Sequence, residues 1–580
     1  MPTRNFRAVC RLLPLALLAL LTGCPANKTG PAKTSSRAEK EDPLAMVRET
    51  LRREHDIGAC RSVVAQLNAH ISSMERKPAP LTAAERDVLA KDLHLSDAEL
   101  NEVANSEFTL LDANYLEERL LLHDAIRSLG LNWTDGADLE RASVAFAWAM
   151  RQTWLADEAL PSLPVGPVLR RGFGNDTERA TVVLALFQAI GLDAGLVGVP
   201  AERGPPHFWA VGARIGGDVY LFDAKSGRPL AAADRKGVAT LKQARANSDL
   251  IKPAADGAKP PLDLKQAAEK SRVFLSPPLS ALSPRMRFLQ EELKLTPRLF
   301  LGVVTTELTA NFATAGEQAT FWNPPQMPSG VPEVSTPTRA LAHYLPPGDG
   351  GFDRTDLQAA FAAGLWPHDR LPPVASENTL PPGVDAGRKL RQYFAKRFVD
   401  FLLADNKPRD QELRGQFDEA TRALVDMMTE ITKRQDLIAS TAPPELDANA
   451  AQWAREIRTA SAELLRLEKS PSADPQTLED AKSRVAGLEK ASEPMVMVVE
   501  RALAEPLTLM ASYQLALCKH EQAERQARRQ REPEATREAW QNAAGWWSSF
   551  LSKATAQAGA TPAQIAHAKA LHAVAEQGAK

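Results

Sequence analysis

Apolar residues recur at helical spacing over residues 43–130: Leu44, Met46, Val47 and Leu51, then Cys60, Val63, Val64 and Leu67. Thr82 with Glu85, and Ser96 with Glu99, have the spacing of a capping box, in which Ser or Thr caps the first turn and Glu reaches back. A further helix is predicted from about Asp112 to Leu129, with Gly130 placed to stop it. Residues 43–137 therefore read as an N-terminal helical region. An apolar helix follows from Asp138 to Leu155. The segment 161–172 (PSLPVGPVLRRG) has three prolines and reads as non-helical. The stretch Thr177–Ile190 is apolar on nearly all sides, which predicts a buried central helix ended by Gly191. Ala194–Val199 reads as a strand. Phe208–Ile215 and Asp218–Phe222 alternate and are joined by Gly216-Gly217, a two-residue hairpin turn. A buried helix followed by an antiparallel meander makes residues 138–235 an α+β unit.

Residues 231–385 are poorly patterned. Helix is expected near 263–272 and 285–293, and a strand pair at 298–304 with 307–314. Prolines crowd the stretch 321–383, several in pairs such as Pro324-Pro325, Pro346-Pro347 and Pro381-Pro382, so 236–387 reads as an irregular, Pro-rich connecting region. From Arg388 the pattern is helical again. Leu390, Phe394, Phe401 and Leu402 form one stripe; Phe417, Ala420, Leu424, Met428 and Ile431 form another. The stretches 413–425 and 512–527 each resemble half of a tetratricopeptide unit, without a strict repeat period. Residues 388–580 are read as a C-terminal helical domain, TPR-like or a bundle.

The front end carries a different signal. Arg4, Arg7 and Arg11 precede an apolar run, Leu12–Leu21, that is short for a membrane span. Leu21-Thr22-Gly23-Cys24 resembles the lipobox of bacterial lipoproteins. That resemblance implies that residues 1–23 are a signal peptide and that Cys24 is lipidated. Residues 24–42 are polar and unpatterned and read as a flexible tether with a reach of about 25 Å. The expected location is a membrane surface of the cell envelope, facing the periplasm or the exterior. Net charge is −2, without the basic surplus of a nucleic-acid binder. Cys60 and Cys518, the only thiols after Cys24, read as buried free thiols and have no CxxC spacing for a zinc site.

Candidate chemistry gathers in residues 172–227: GFGNDTERATVVLALFQAIGLDA, then HFWAV, then YLFDAKSG. This order resembles the core of the transglutaminase-like family, over roughly residues 138–235. The resemblance implies a papain-like scaffold, with a Cys at a helix start, a His on a strand and an Asp on the next. His207 and Asp223 match the last two. Where the family has its nucleophile, fifteen residues before Gly191, this chain has Asp176. A helix N-terminus lowers a thiol's pKa, and a neighbouring His completes its activation. The same field stabilises a carboxylate, which is a poor acyl acceptor. Asn175 as N-cap, Glu178 completing a box and Asp176 in the first turn give a structural reading. Thr177 lies one residue off register and reads as a cap. A metal reading of Asp176, His207 and Asp223 conflicts with a triad spaced for hydrogen bonds, so neither a metal nor a cofactor is expected.

The fold expected is thus α+β: a mostly helical chain with a small transglutaminase-like antiparallel-sheet core and a C-terminal helical domain. The function expected is that of a lipid-anchored envelope protein, a pseudoenzyme with a vestigial triad. It would bind a peptide or protein partner or act as a scaffold, and it would bind no nucleic acid. The alternative is an active envelope hydrolase or acyltransferase of the transglutaminase-like, cysteine-protease class. The Trp540, Trp546 and Trp547 cluster reads as helix-packing core. The basic run Lys519–Arg531 reads as a solvated face.

Overall fold

A computed structural model describes residues 43–322 and 406–580, apart from short stretches within them, the longest being 252–263 and 442–455. The readings for 1–42 and 323–405, including Cys24 and the 388–405 stripe, lie outside the described residues. The described chain is mostly helical with one small mixed sheet, an α+β arrangement.

The N-terminal helices are α1 (Pro43–Arg53), α2 (Ile57–His70), α3 (Ala83–Lys91), α4 (Asp97–Ala104) and α5 (Leu110–Ser128). Thr82/Glu85 and Ser96/Glu99 both form the expected boxes. Most of the stripe read from the sequence is the packing face: Val47, Leu51, Cys60, Val63 and Leu67 are buried with Leu116 and Leu120 of α5, whereas Met46 is exposed. Helix α6 (Asp138–Gln152) stops earlier than expected, and β1 (Trp154–Leu155) follows. Beyond it, α7 (Val165–Arg171) corrects the non-helical reading of 161–172. Pro167 is the third residue of α7, where a backbone N–H has no intrahelical acceptor, so proline removes nothing. A short strand, β2 (Phe173–Gly174), pairs in parallel with β1.

The buried helix is α8 (Asp176–Ala189). The meander follows as β3 (Asp193–Val199), β4 (His207–Ile215) and β5 (Asp218–Asp223), with a two-residue β6 (Arg228–Pro229). Helices α9 (Leu241–Ala246) and α10 (Leu264–Lys270) lead to β7 (Arg272–Leu275). Then come α11 (Leu279–Leu282), α12 (Pro284–Leu293), α13 (Thr305–Thr314) and β8 (Ala319–Phe321). The sheet order is β6-β5-β4-β3-β7-β8. Strand β7 joins β3 antiparallel, and β8 joins β7 in parallel, so the sheet is mixed rather than antiparallel. Two of its strands come from beyond residue 235, so the first part of 236–387 is integral to the sheet unit.

The strand pair expected at 298–304 and 307–314 does not form. Residues 305–314 are α13, with Thr305, Leu308 and Phe312 buried along one side. The carbonyls of 300 and 301 are instead met by side chains of α5: Arg119 Nε donates to Phe300 O (3.0 Å) and Tyr115 Oη to Leu301 O (3.0 Å). Both sheet faces are covered. Helices α6 and α8 pack on the face of Leu196, Val211 and Phe222. Residues of α3, α4, α9, α10 and α13 pack on the face of Val197, Val219 and Leu221.

The C-terminal helices are α14 (Asn406–Leu413), α15 (Phe417–Thr441), α16 (Pro475–Ala491), α17 (Met495–Arg528), α18 (Pro533–Ala556) and α19 (Pro562–Gly578). The two half-unit-like stretches pack on each other at small residues: Ala420 meets Cys518, and Leu424 meets Ala511 and Leu515. Trp540, Trp547 and Phe550 are core, and they extend across to Trp154 and Phe173 of the β1–β2 pair. The basic run is only partly a solvated face. Arg525 Nη1 donates to Gly415 O (3.1 Å), and Glu521, just inside it, is buried against Arg151.

Candidate functional site

The start of α8 is built as its residues dictate. Asn175 Oδ1 accepts from Glu178 N (2.9 Å), and Glu178 Oε2 accepts from Asn175 N (3.0 Å). The same Glu178 carboxylate is buried against the Arg171 guanidinium. Asp176 stands exposed on the first turn, and its Oδ1 accepts from Thr177 N (2.8 Å). Carboxylate on a helix N-terminus is the favoured arrangement, worth about 0.5 kcal/mol at an exposed site. Thr177 Oγ1 lies 3.4 Å from that carboxylate.

Asp223 closes β5 and organises the turn beyond it. Its Oδ1 accepts from Lys225 N (2.9 Å) and Ser226 N (3.2 Å). Gly227 N donates to Asp223 O (3.0 Å) to complete the turn. The carboxylate is thereby used as a backbone acceptor.

His207 opens β4 and is exposed. A bulge makes Trp209 the extra residue: Val197 pairs with Ala210, Gly198 with Phe208, and Val199 with His207. Directly opposed residues of an antiparallel pair share a face. Val199 belongs to the cluster of Val197, Ala210 and Leu221, on the side away from α8. His207 is therefore on the sheet face opposite the one that carries Asp176. The β4–β5 ladder ends at Val211 and Phe222. Continuing that register sets Asp223 level with Ala210, and because Trp209 is the bulged residue His207 stands two ladder positions further on, about 7 Å along the strand. No hydrogen bond joins His207 to Asp223 or to Asp176 among the described residues. Gly198 fixes the bulge, since a Cβ there would lie 2.4 Å from the His207 carbonyl oxygen.

What does face both Asp176 and Asp223 is Arg179, which the sequence reading passed over. It is 4% exposed. Nη1 donates to Lys225 O (3.2 Å), Nη2 lies 2.9 Å from Met150 Sδ, and Nε has no partner among the described residues. Burial pushes this guanidinium down to about 10; the charges of Asp223 and Asp176 work against that. Arg179 thus staples the Asp223 turn to α8. The available signal was a charged residue inside an otherwise apolar helix.

Neither body thiol approaches these groups. Cys60 is buried among the N-terminal helices, and Cys518 Sγ lies against Phe417 O (3.4 Å). Burial pushes both thiols up to about 12, so they stay protonated. The C-terminal helices close over this end of the unit: Tyr513 Oη and His567 Nδ1 are hydrogen-bonded (2.7 Å), and His567 Nε2 lies 3.0 Å from Met150 O. With a carbonyl on its Nε2, His567 holds its proton there, so Tyr513 donates to Nδ1.

Among the described residues no group of His, Cys, Asp and Glu is placed to hold a metal ion, and no helix is long and apolar enough to cross a membrane. Comparison with protein-family models, with curated proteins and with solved structures gives no match for this chain.

Proposed function

We propose that this chain is a lipid-anchored protein of the cell envelope, tethered through Cys24, whose transglutaminase-like core has no acyl-transfer chemistry and serves as a scaffold or binds a peptide or protein partner. One observation carries the non-catalytic reading: among the described residues no hydrogen bond joins Asp176, His207 and Asp223, and the group that faces the two carboxylates is Arg179. Asp176 is a first-turn carboxylate, Asp223 is a turn acceptor, and His207 lies on the sheet face away from α8. A carboxylate in place of the thiolate would form a labile anhydride instead of a thioester, so the chemistry agrees with the geometry. The scaffold reading also draws support from the continuous packing of the C-terminal helices against the sheet-bearing body.

Asp176→Cys tests the reading. The new thiol should react with a thiol-directed acylating probe no faster than a cysteine placed at Asp97, the equivalent exposed first position of α4, because the helix end alone activates both. Selective, His207-dependent acylation of that variant would show a competent dyad and return the enzyme reading. Anchoring is tested separately by metabolic labelling with a fatty acid, which Cys24→Ser should abolish.

A further inference from the structure

The sheet-bearing body and the C-terminal helices meet through buried charges, and α14 supplies most of them on the C-terminal side. Arg409 uses all five of its N–H groups there. Nε and Nη2 donate to Leu169 O (3.1 and 2.8 Å). Nη2 also donates to Gln152 O (3.0 Å), and Nη1 to Gln152 Oε1 (2.7 Å) and to the Glu412 carboxylate. Arg151 is taken by Glu521, with Nε to Oε1 at 2.7 Å and Nη2 to Oε2 at 3.0 Å. Gln152 Nε2 donates to Glu521 Oε1 (3.1 Å).

Glu412 is left half-satisfied. It is 3% exposed, Oε2 has Arg409, and Oε1 is buried without a partner among the described residues. The charged and titratable groups that face it are Arg409 on its own helix, Arg151 on α6, and Tyr513, Cys518 and Glu521 on α17. Both guanidiniums are already committed, and the nearest other carboxylate is like-charged. A neutral carboxyl loses less from an empty position than a carboxylate does.

We propose that Glu412 couples docking of the C-terminal helices to uptake of one proton, so that the joint is tighter in mildly acidic than in mildly alkaline medium. Burial, reinforced by Glu521 and opposed by Arg409 and Gln152, raises the Glu412 carboxyl to about 7. Once the joint parts, the group returns to its ordinary value of 4.5. Between those values the docked form holds a proton that the parted form has lost. Docking by this group is therefore favoured at the acid side and weakens as pH rises through 7. From pH 6 to pH 8 the docking equilibrium falls about tenfold on this account. His567, held down to about 4 by burial at the same joint, pulls the other way below 6.5. The readout is accordingly the difference between the native chain and Glu412→Gln.

Hydrogen exchange of 150–155 and 406–414, corrected for intrinsic rates, gives the opening equilibrium at pH 6 and pH 8. The ratio of the two chains' opening equilibria should change about tenfold between those pH values. A protonated-carboxyl stretch in the infrared at pH 6 should vanish in Glu412→Gln. Parallel pH dependence in the two chains, or equal loss of protection in Glu412→Gln at both pH values, overturns the proposal. Should Glu412→Gln not fold, the native chain decides alone: a buried carboxyl titrating near 7 supports the proposal, and its absence defeats it.

Discussion

Arg409 and Gln152, 257 residues apart in the chain, are bonded twice, once through the Gln152 side chain and once through its backbone carbonyl. Arg409 is 2% exposed. The contact closes the body against the C-terminal helices, and the same guanidinium satisfies Leu169 O and Glu412. Arg409→Met would keep the bulk and remove every donor. It should cost about 3–5 kcal/mol, because it takes the donor from the Glu412 carboxyl group, two backbone carbonyls and the Gln152 side-chain oxygen, all of them buried. Urea unfolding checks this; a loss below about 1 kcal/mol would mean that water replaces the guanidinium.

The start of α8 offers a graded pair. Asn175→Ala removes the acceptor for Glu178 N and should destabilise by about 1 kcal/mol. Asp176→Ala, at the exposed neighbour, should cost no more than about 0.5 kcal/mol. Melting temperatures in that order are expected, and the reverse order would show that Asp176 does more than complement the helix end.

Gly198 and Gly217 form a second contrast on the same hairpin system. A Cβ at Gly198 meets the His207 carbonyl at 2.4 Å, whereas one at Gly217 meets nothing within 4 Å. Gly198→Ala should destabilise by about 1–3 kcal/mol through forced backbone movement, and Gly217→Ala should be near neutral. Chemical denaturation of both variants tests this.

Two buried histidines should loosen the chain as pH falls below 6.5. His520 is held down to about 3 and His567 to about 4, both chiefly by burial, against an ordinary 6.5. Their folded values are depressed, so the unfolded chain binds more protons below 6.5 and stability falls as pH drops toward 4. His567→Gln should flatten this part of the urea-midpoint profile. An unchanged slope would assign the loss to other groups.

Local signals in the sequence carried far. The caps at Thr82, Ser96 and Asn175, the buried α8 and the Gly216 hairpin were legible because each depends on a few neighbouring residues. Strands β7 and β8 were not, since segments of four and three residues have too little alternation to read. Helix α13 reads as a strand in the sequence because its β-branched threonines mask the spacing of Thr305, Leu308 and Phe312. At the candidate site the three residue types were legible and their placement was not. One extra residue, Trp209, decides which face His207 takes, and a bulge leaves no mark in the pattern. The ionic joint is not legible in the sequence because Arg151, Arg409 and Glu521 look like solvent-facing charges until distant helices cover them.

That joint ties the two ends of the chain into one unit of descent. Reversing the charge at 151, 170, 409, 410 or 521 spoils a partner hundreds of positions away. Natural variants of this chain should therefore change those positions in matched sets, and a graft of either half onto a foreign partner would arrive with its charges unanswered.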